Sequence, residues 1–311
     1  MRITAVVVTY NSIKWIQKCI DSLLSSTVEV NVVIVDNASD DETIDFIKSN
    51  YPQITLISND ENLGFAAANN IGLKLAQTSC SDFVFLLNHD AWVRSDTIEN
   101  LVLRAKENSN YGVLSPIHLN ASGEMLEFLF STFISNPSDG GRKFYSDLVL
   151  KHPIKNVYEV NFINAAAWLI PIKTIELVGL FDSLNFPHYG EDNNYLQRLK
   201  YFNLKVGLVP SSFAYHDTED REGKHNDKNF KRHIAIKKFK VCALDISESY
   251  NSKDLKNEIF MGLEDVIKAI LKIQFTESIN RFKLYREKRE LYNKRSSIVS
   301  KYKQSGFDPQ L

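Results

Sequence analysis

No apolar run in these 311 residues approaches the roughly 18 that a membrane-spanning helix needs. The opening "MRITAVVVTYN" is too short and too soon polar for a secretory signal, so a chain that begins in the cytoplasm is expected. An excess of charge of one sign is also missing: the formal net charge is -1, which gives no overall pull toward nucleic acid. Cysteine is scarce. Cys19, Cys80 and Cys242 lie far apart and in no CxxC pair, which argues against a disulfide framework or a thiolate metal site and predicts buried thiols. Two phosphate-binding signatures are lacking as well. Without a G-x-G-x-x-G after the first strand pattern, a dinucleotide has no glycine turn for its pyrophosphate, and without G-x-x-x-x-G-K-[ST] there is no P-loop.

What is present is an ordinary soluble composition, 44% hydrophobic and 24% charged, long enough for one large domain with an appendage or for two domains. The first 90 residues alternate short β-branched runs with helical patterns, the rhythm of βα units that feed a parallel sheet. "ITAVVVTY", "NVVIVDN", "ITLISN" and "DFVFLLN" read as strands. Between them, Ile16, Ile20, Leu23 and Leu24 fall at helical spacing, as do Ile44 and Ile47, and then the segment from Ala66 to Ala76. Ser39 or Asp40 is a candidate cap for the second of these helices. Strands apolar on both faces imply a sheet covered by helices on both sides.

In such sheets a ligand sits outside the carboxyl ends of the strands. Those ends carry Thr9-Tyr10-Asn11, Asp36-Asn37, Asn59 and Asn88-His89-Asp90. Any one of them alone could be an ordinary turn or cap, but four polar ends on one rim point to a shared ligand. With no glycine-rich turn, a diphosphate could still be held through a divalent cation, for which Asp90 is a candidate carboxylate ligand.

Six segments resemble the nucleotide-sugar-dependent glycosyltransferases of family 2, which have the GT-A fold. They are "VVVTYNS" at 6–12, "VIVDNASDDET" at 33–43, "NLGFAAANNIG" at 62–72, "LLNHDA" at 86–91, "VGLFD" at 178–182 and "YGEDNNYLQRLK" at 189–200. The "GFAAANN" form looks most like the branch of rhamnosyl- and galactofuranosyl-type transferases of bacterial surface-polysaccharide synthesis. The resemblance implies an α/β fold with a mostly parallel, helix-flanked sheet over residues 1–245. Within it, 1–110 would be the nucleotide-binding half and 111–245 the acceptor-binding half, followed by a helical extension over 246–311.

It also gives the rim residues roles. Thr9, Tyr10, Asn11 and Asp36 would hold the nucleoside, Asn62, Phe65 and Asn69 would line its pocket, and Asn88 stands where the family usually has the first Asp of Asp-x-Asp. Asp90 would ligate a cation, Mn²⁺ or Mg²⁺, that bridges the donor diphosphate, with His216 as a second ligand. In the Glu-Asp pair, Asp192 would be the general base of an inverting transfer and Glu191 would orient the acceptor, with Trp168 beside the approaching sugar. Acids at a helix start also have a purely local explanation. Where the family has a further Asp, this chain has Asn194. The implied partners are a nucleotide-sugar donor and a saccharide or lipid-linked saccharide acceptor. A non-catalytic nucleotide-binding scaffold remains an alternative because of Asn88 and Asn194. A sugar nucleotidyltransferase fits less well, because "TYNSIKW" lacks its Gly-rich, Arg-containing loop.

Two regions are harder to read. "NPSDGGRKF", in the stretch 111–160, has the composition of a mobile loop over the site. Beyond about residue 245, Leu255, Ile259, Leu263, Val266, Ile270 and Leu271 form a helical stripe, followed by a strongly basic run to Lys303. A basic amphipathic helix can lie peripherally on an anionic membrane, and the same pattern can pack on the catalytic domain or on a second subunit. The regularity of the stripe favours packing.

Overall fold

A computed structural model describes residues 1–135, 139–218, 228–247 and 250–310. The β-branched runs form β1 (Ile3–Thr9), β2 (Asn31–Asp36), β3 (Thr55–Ser58) and β4 (Phe83–Asn88), all parallel, in the order β3-β2-β1-β4. Between them run α1 (Ile16–Leu24), α2 (Thr43–Asn50) and α3 (Phe65–Thr78). Side chains alternate across the pleat, so Val6 and Leu86 meet α3 on one face while Val7 and Phe85 meet α1 on the other. That is why these strands are apolar throughout.

The sheet continues through three antiparallel or mixed steps. Beside β4 lies the antiparallel β8 (Ala167–Pro171), then β6 (Tyr111–Leu119), then β9 (Lys205–His216), parallel to β6. Two three-residue strands share the far edge of β9: β7 (Tyr158–Val160) pairs with its first half and β5 (Ala91–Val93) with its last residues. α4 (Thr97–Glu107) covers the α1 face, whereas α7 (Ile172–Val178) and α8 (Glu191–Tyr201) cover the α3 face.

The stretch expected as a mobile loop is instead largely helical. α5 (Phe128–Ser135) and α6 (Asp139–Val149) flank residues 136–138 of "NPSDGGRKF", which lie outside the described residues. Gly140 and Gly141 serve close packing here. A side chain on the first would run into the Glu159 carbonyl and on the second into that of Ile134. Ser39 and Asp40 do not cap α2 either. Ser39 is drawn to Asp36, and the Asp41 carboxylate accepts the Thr43 N–H at 3.0 Å instead. Of the three thiols only Cys19 is buried. Cys80 is exposed in the turn after α3, where a left-handed backbone (φ 54°) turns it outward, and Cys242 is partly exposed.

Three helices follow β9: α9 (Lys228–Ala243), α10 (Ser252–Leu271) and α11 (Phe275–Tyr302). Phe239, Leu255, Leu291, Val299 and Tyr302 form their common core, which also takes in Phe186 from the segment before α8. The apolar stripe of α10 is only half core. Leu255 and Val266 are buried, but Ile270 is 54% and Leu271 77% exposed, because the contacts with α9 end before the last turns of α10. Past α11 the chain returns to the body of the domain. The Leu180 N–H donates to the Phe307 carbonyl at 2.7 Å, and Lys74 pairs with Asp308 at 2.8 Å.

Candidate active site

The register of β5 on β9 builds one corner of the strand-end rim. After Asn88 the chain leaves β4, and within two residues it becomes β5, paired antiparallel with β9 so that Ala91 faces His216. This switch explains why an apolar strand ends on Asn88-His89-Asp90: these residues carry the chain from one strand partner to another. Asp90 thereby lands beside His216, its Oδ1 3.2 Å from Nε2, and both are nearly fully buried. Asn88 Nδ2 lies 3.4 Å from the same imidazole nitrogen. The next residue, Asp217, accepts the Trp15 indole N–H at 2.7 Å and lies 3.7 Å from the Lys14 ammonium.

A carboxylate oxygen and an imidazole nitrogen 3.2 Å apart at the ends of two rigid strands suit two adjacent positions around one divalent cation. Among the described residues no group of three or more His, Cys, Asp or Glu could hold a metal ion. The buried Oδ1 of Asn88 has no hydrogen-bond partner among the described residues and is a further oxygen at this corner.

Along the rim, Asp36 organises the loop after β2. Its Oδ1 accepts the hydroxyls of Thr9 at 2.7 Å and Ser39 at 2.6 Å, and its Oδ2 accepts the Ser39 N–H at 2.9 Å. Asp36 is fully buried and spends its acceptor sites within this loop, so it shapes the rim without presenting a surface to a ligand, a correction to its expected contact with the nucleoside. Asn11, with φ 51°, is tied to the same loop: its N–H donates to Ser39 Oγ and its Oδ1 accepts the Asp40 N–H, each at 2.9 Å. Tyr10 is 46% exposed above them, and Asn62 is exposed while its Oδ1 accepts the Gly64 N–H at 3.0 Å. Phe65 is half-buried, edge-on to Phe181.

Two further expected contacts are corrected. Asn69 is 2% exposed and spends its amide on the Phe65 carbonyl of its own helix, at 2.9 Å, so it offers no surface to a base. Trp168 is fully buried. It lies across from Leu86 in the β4–β8 register, facing inward, and packs between Phe181 and Tyr195 at ring distances of 6.4 and 6.1 Å, so its faces are closed to a sugar.

Gly64 joins this rim to the acidic pair. Its backbone is left-handed (φ 82°), and a side chain there would strike the Pro187 carbonyl oxygen in the loop that leads to α8. Its carbonyl accepts the Asn37 amide at 3.3 Å. The sequence signal was "NLGF", a glycine opening a helix after a polar strand end, and only the close approach explains it.

Glu191 and Asp192 open α8 behind Gly190, which is left-handed at φ 100°. Burial, and then the neighbouring Asp192 charge, push the Glu191 carboxyl up to about 8. Burial also raises Asp192, against which Lys237 of α9 and hydrogen bonds from Asn193 act to keep it ionised. Burial thus raises both carboxyls, Glu191 to about 8, while Lys237 favours the charged form of Asp192. Glu191 Oε2 has no partner among the described residues. At the end of β6, His118 is fully buried against Ser115 and is pushed down to about 3 by burial and by nearby His216, so it stays neutral.

The mixed sheet that carries this polar rim has the GT-A fold. The crystal structure of GalNAc-T7 with UDP, GalNAc and Mn²⁺ superposes over 81% of this chain and 52% of its own, with a TM-score of 0.56 at 14% identity. Residues 4–157 match the model of Glycosyl transferase family 2, and this chain belongs to that family. Among curated relatives it is similar to the glycosyltransferase GlyA of Streptococcus pneumoniae, 26% identical over 69% of this chain. It is also similar to the dTDP-rhamnosyl transferase RfbF of Shigella flexneri, 22% identical over 76% of each chain. The chain spans 29% of GlyA's length.

Proposed function

We propose that this chain is an inverting glycosyltransferase. It would move a sugar from a nucleotide-diphosphate donor, a dTDP- or UDP-sugar, to a saccharide or lipid-linked saccharide acceptor in cell-surface polysaccharide synthesis. The observation that carries the reading is the Glu191–Asp192 pair: two neighbouring carboxyls at one helix start, both raised by burial, with Lys237 placed to favour the charged form of Asp192. Donor class draws support from RfbF, described as a dTDP-rhamnosyl transferase, and from GalNAc-T7, crystallised with UDP.

Asp192 accepts the proton of the acceptor hydroxyl as that oxygen attacks the anomeric carbon of the donor. The bond from this carbon to the diphosphate oxygen breaks on the opposite face, so one displacement inverts the configuration. Neutral Glu191 donates a hydrogen bond that orients the acceptor, and Lys237 offsets the charge of the ionised carboxylate. At the other corner, Asp90 and His216 would hold a divalent cation, Mn²⁺ in preference to Mg²⁺ because one ligand is imidazole. Bound there, it would offset the negative charge of the leaving diphosphate. Exposed Tyr10, Asn11 and Asn62 would line the nucleoside site, on the rim whose loop Asp36 holds in place.

The test is to incubate the purified chain with dTDP- and UDP-sugars and candidate saccharide acceptors, measure nucleoside diphosphate release, and read the anomeric configuration of the product by NMR. An inverted product is expected. A retained configuration, or no release with any donor, overturns the proposal.

A further inference from the structure

The common core of α9, α10 and α11 ends at Ile259 on one arm of the α10–α11 hairpin and at Leu284 on the other. Beyond those residues the hairpin carries an apolar tip open to solvent. Leu271 is 77% exposed, Ile273 73%, Phe275 69%, Ile279 56% and Phe282 46%. A contiguous apolar surface of this kind marks an interaction site.

The order of residues along α11 indicates what covers it. Phe275, Ile279 and Phe282 are spaced four and three apart, which puts them on one face of the helix, and the same spacing continues to Arg286 and Arg289, both exposed. Lys272 and Lys283, also exposed, flank the tip. The apolar part of the stripe, from Phe275 to Phe282, covers roughly 10 Å of helix at about 1.5 Å per residue. For a hairpin that enters tip first, this length is comparable to the roughly 5–10 Å depth of the boundary between headgroups and acyl chains that interfacial helices occupy. Arg286 and Arg289 follow about one and two turns further along α11. Although the chain has a net charge of -1, α11 alone holds eight basic residues against three acidic ones.

We propose that the tip of the α10–α11 hairpin docks on an anionic phospholipid bilayer, inserting Leu271, Ile273, Phe275, Ile279 and Phe282 while Arg286 and Arg289 bind lipid phosphates. A second copy of the chain on the same face would bring two sets of these arginines together. An anionic surface instead complements them.

The test is co-sedimentation of the full chain with phosphatidylcholine vesicles, with and without about one third phosphatidylglycerol. Sedimentation only with the anionic vesicles is expected. Leu271→Glu combined with Phe275→Glu, and separately Arg286→Glu combined with Arg289→Glu, should each lower binding by at least about tenfold. Because all four residues are exposed, both pairs should leave the melting temperature and donor hydrolysis unchanged. No binding to anionic vesicles, or binding that both pairs retain, overturns the proposal. A concentration-dependent dimer that Leu271→Glu dissolves, seen by sedimentation velocity, overturns it in favour of a second copy.

Discussion

One turn apart on α8, buried Arg198 donates from Nε to Asn194 Oδ1 at 3.0 Å, so the guanidinium meets a neutral amide where the family motif has a carboxylate. Its remaining donors reach the carbonyls of Val178 at 2.8 Å and Leu180 at 2.6 Å, and the rings of Tyr195, Tyr302 and Phe307 surround it. Arg198→Met would leave those buried oxygens without donors and should cost about 2–4 kcal/mol. Chemical denaturation measures this. Arg198→Lys, a single ammonium in place of a fork, should recover less than half of the loss.

Asp192→Asn removes the proposed base and keeps the shape of the site. Turnover should fall by at least about a hundredfold while nucleotide affinity stays nearly unchanged. Steady-state kinetics beside a direct nucleotide titration separate the two, and near-normal turnover would remove Asp192 from its role.

The Asp90–His216 corner makes a metal-linked prediction. A nucleoside diphosphate at about a hundred times its Kd should stabilise the protein by about 2.7 kcal/mol, and only when Mn²⁺ is present. Asp90→Ala and His216→Ala should each abolish the metal-dependent part of the shift in thermal melting. Equal stabilisation with chelator present would count against this pair as ligands.

Glu191 sets a pH dependence of stability. Between the ordinary carboxyl range and about 8, the folded chain keeps on Glu191 a proton that the unfolded chain has already lost. Stability contributed by this group therefore falls as the pH rises through that window. Melting temperatures from about pH 5 to about pH 9 should decline more steeply in the parent than in Glu191→Gln, which has no proton to lose.

Gly64→Ala tests the bridge between rim and acid pair. The new methyl must displace Pro187 or force a left-handed alanine, so a loss of about 1–3 kcal/mol is expected. Turnover should drop further than stability alone accounts for, since the loop that leads to Asp192 shifts with Pro187. A parallel assay of Tm and kcat reads both.

The parallel half of the fold was legible because period-two and helical patterns there are undisturbed: Val6 and Val7 each have a helix to face, and Ile16, Ile20 and Leu23 mark the helix on one side. Strand β5 was not, since three residues after a polar turn carry no periodicity, and pairing with β9 defines it. Helix α6 was hidden by Gly140 and Gly141, which read as turn residues but are required by backbone packing. Trp168 misled because an aromatic in an apolar run can serve a sugar or a core, and only its register opposite Leu86 decides. The acid pair stood out in sequence, yet the upward shift of both carboxyls did not, because burial in the folded chain sets it.

The segment after α11 has a bearing on the order of synthesis. Leu180 bonds to Phe307, and Asp182 accepts the Tyr302 hydroxyl, so the loop that leads toward the acid pair is held by residues made more than a hundred positions later. A nascent chain that has already completed every strand of the sheet still lacks the partners of that loop. They arrive only when residues 302–307 emerge from the ribosome, so a finished sheet precedes a finished loop before α8.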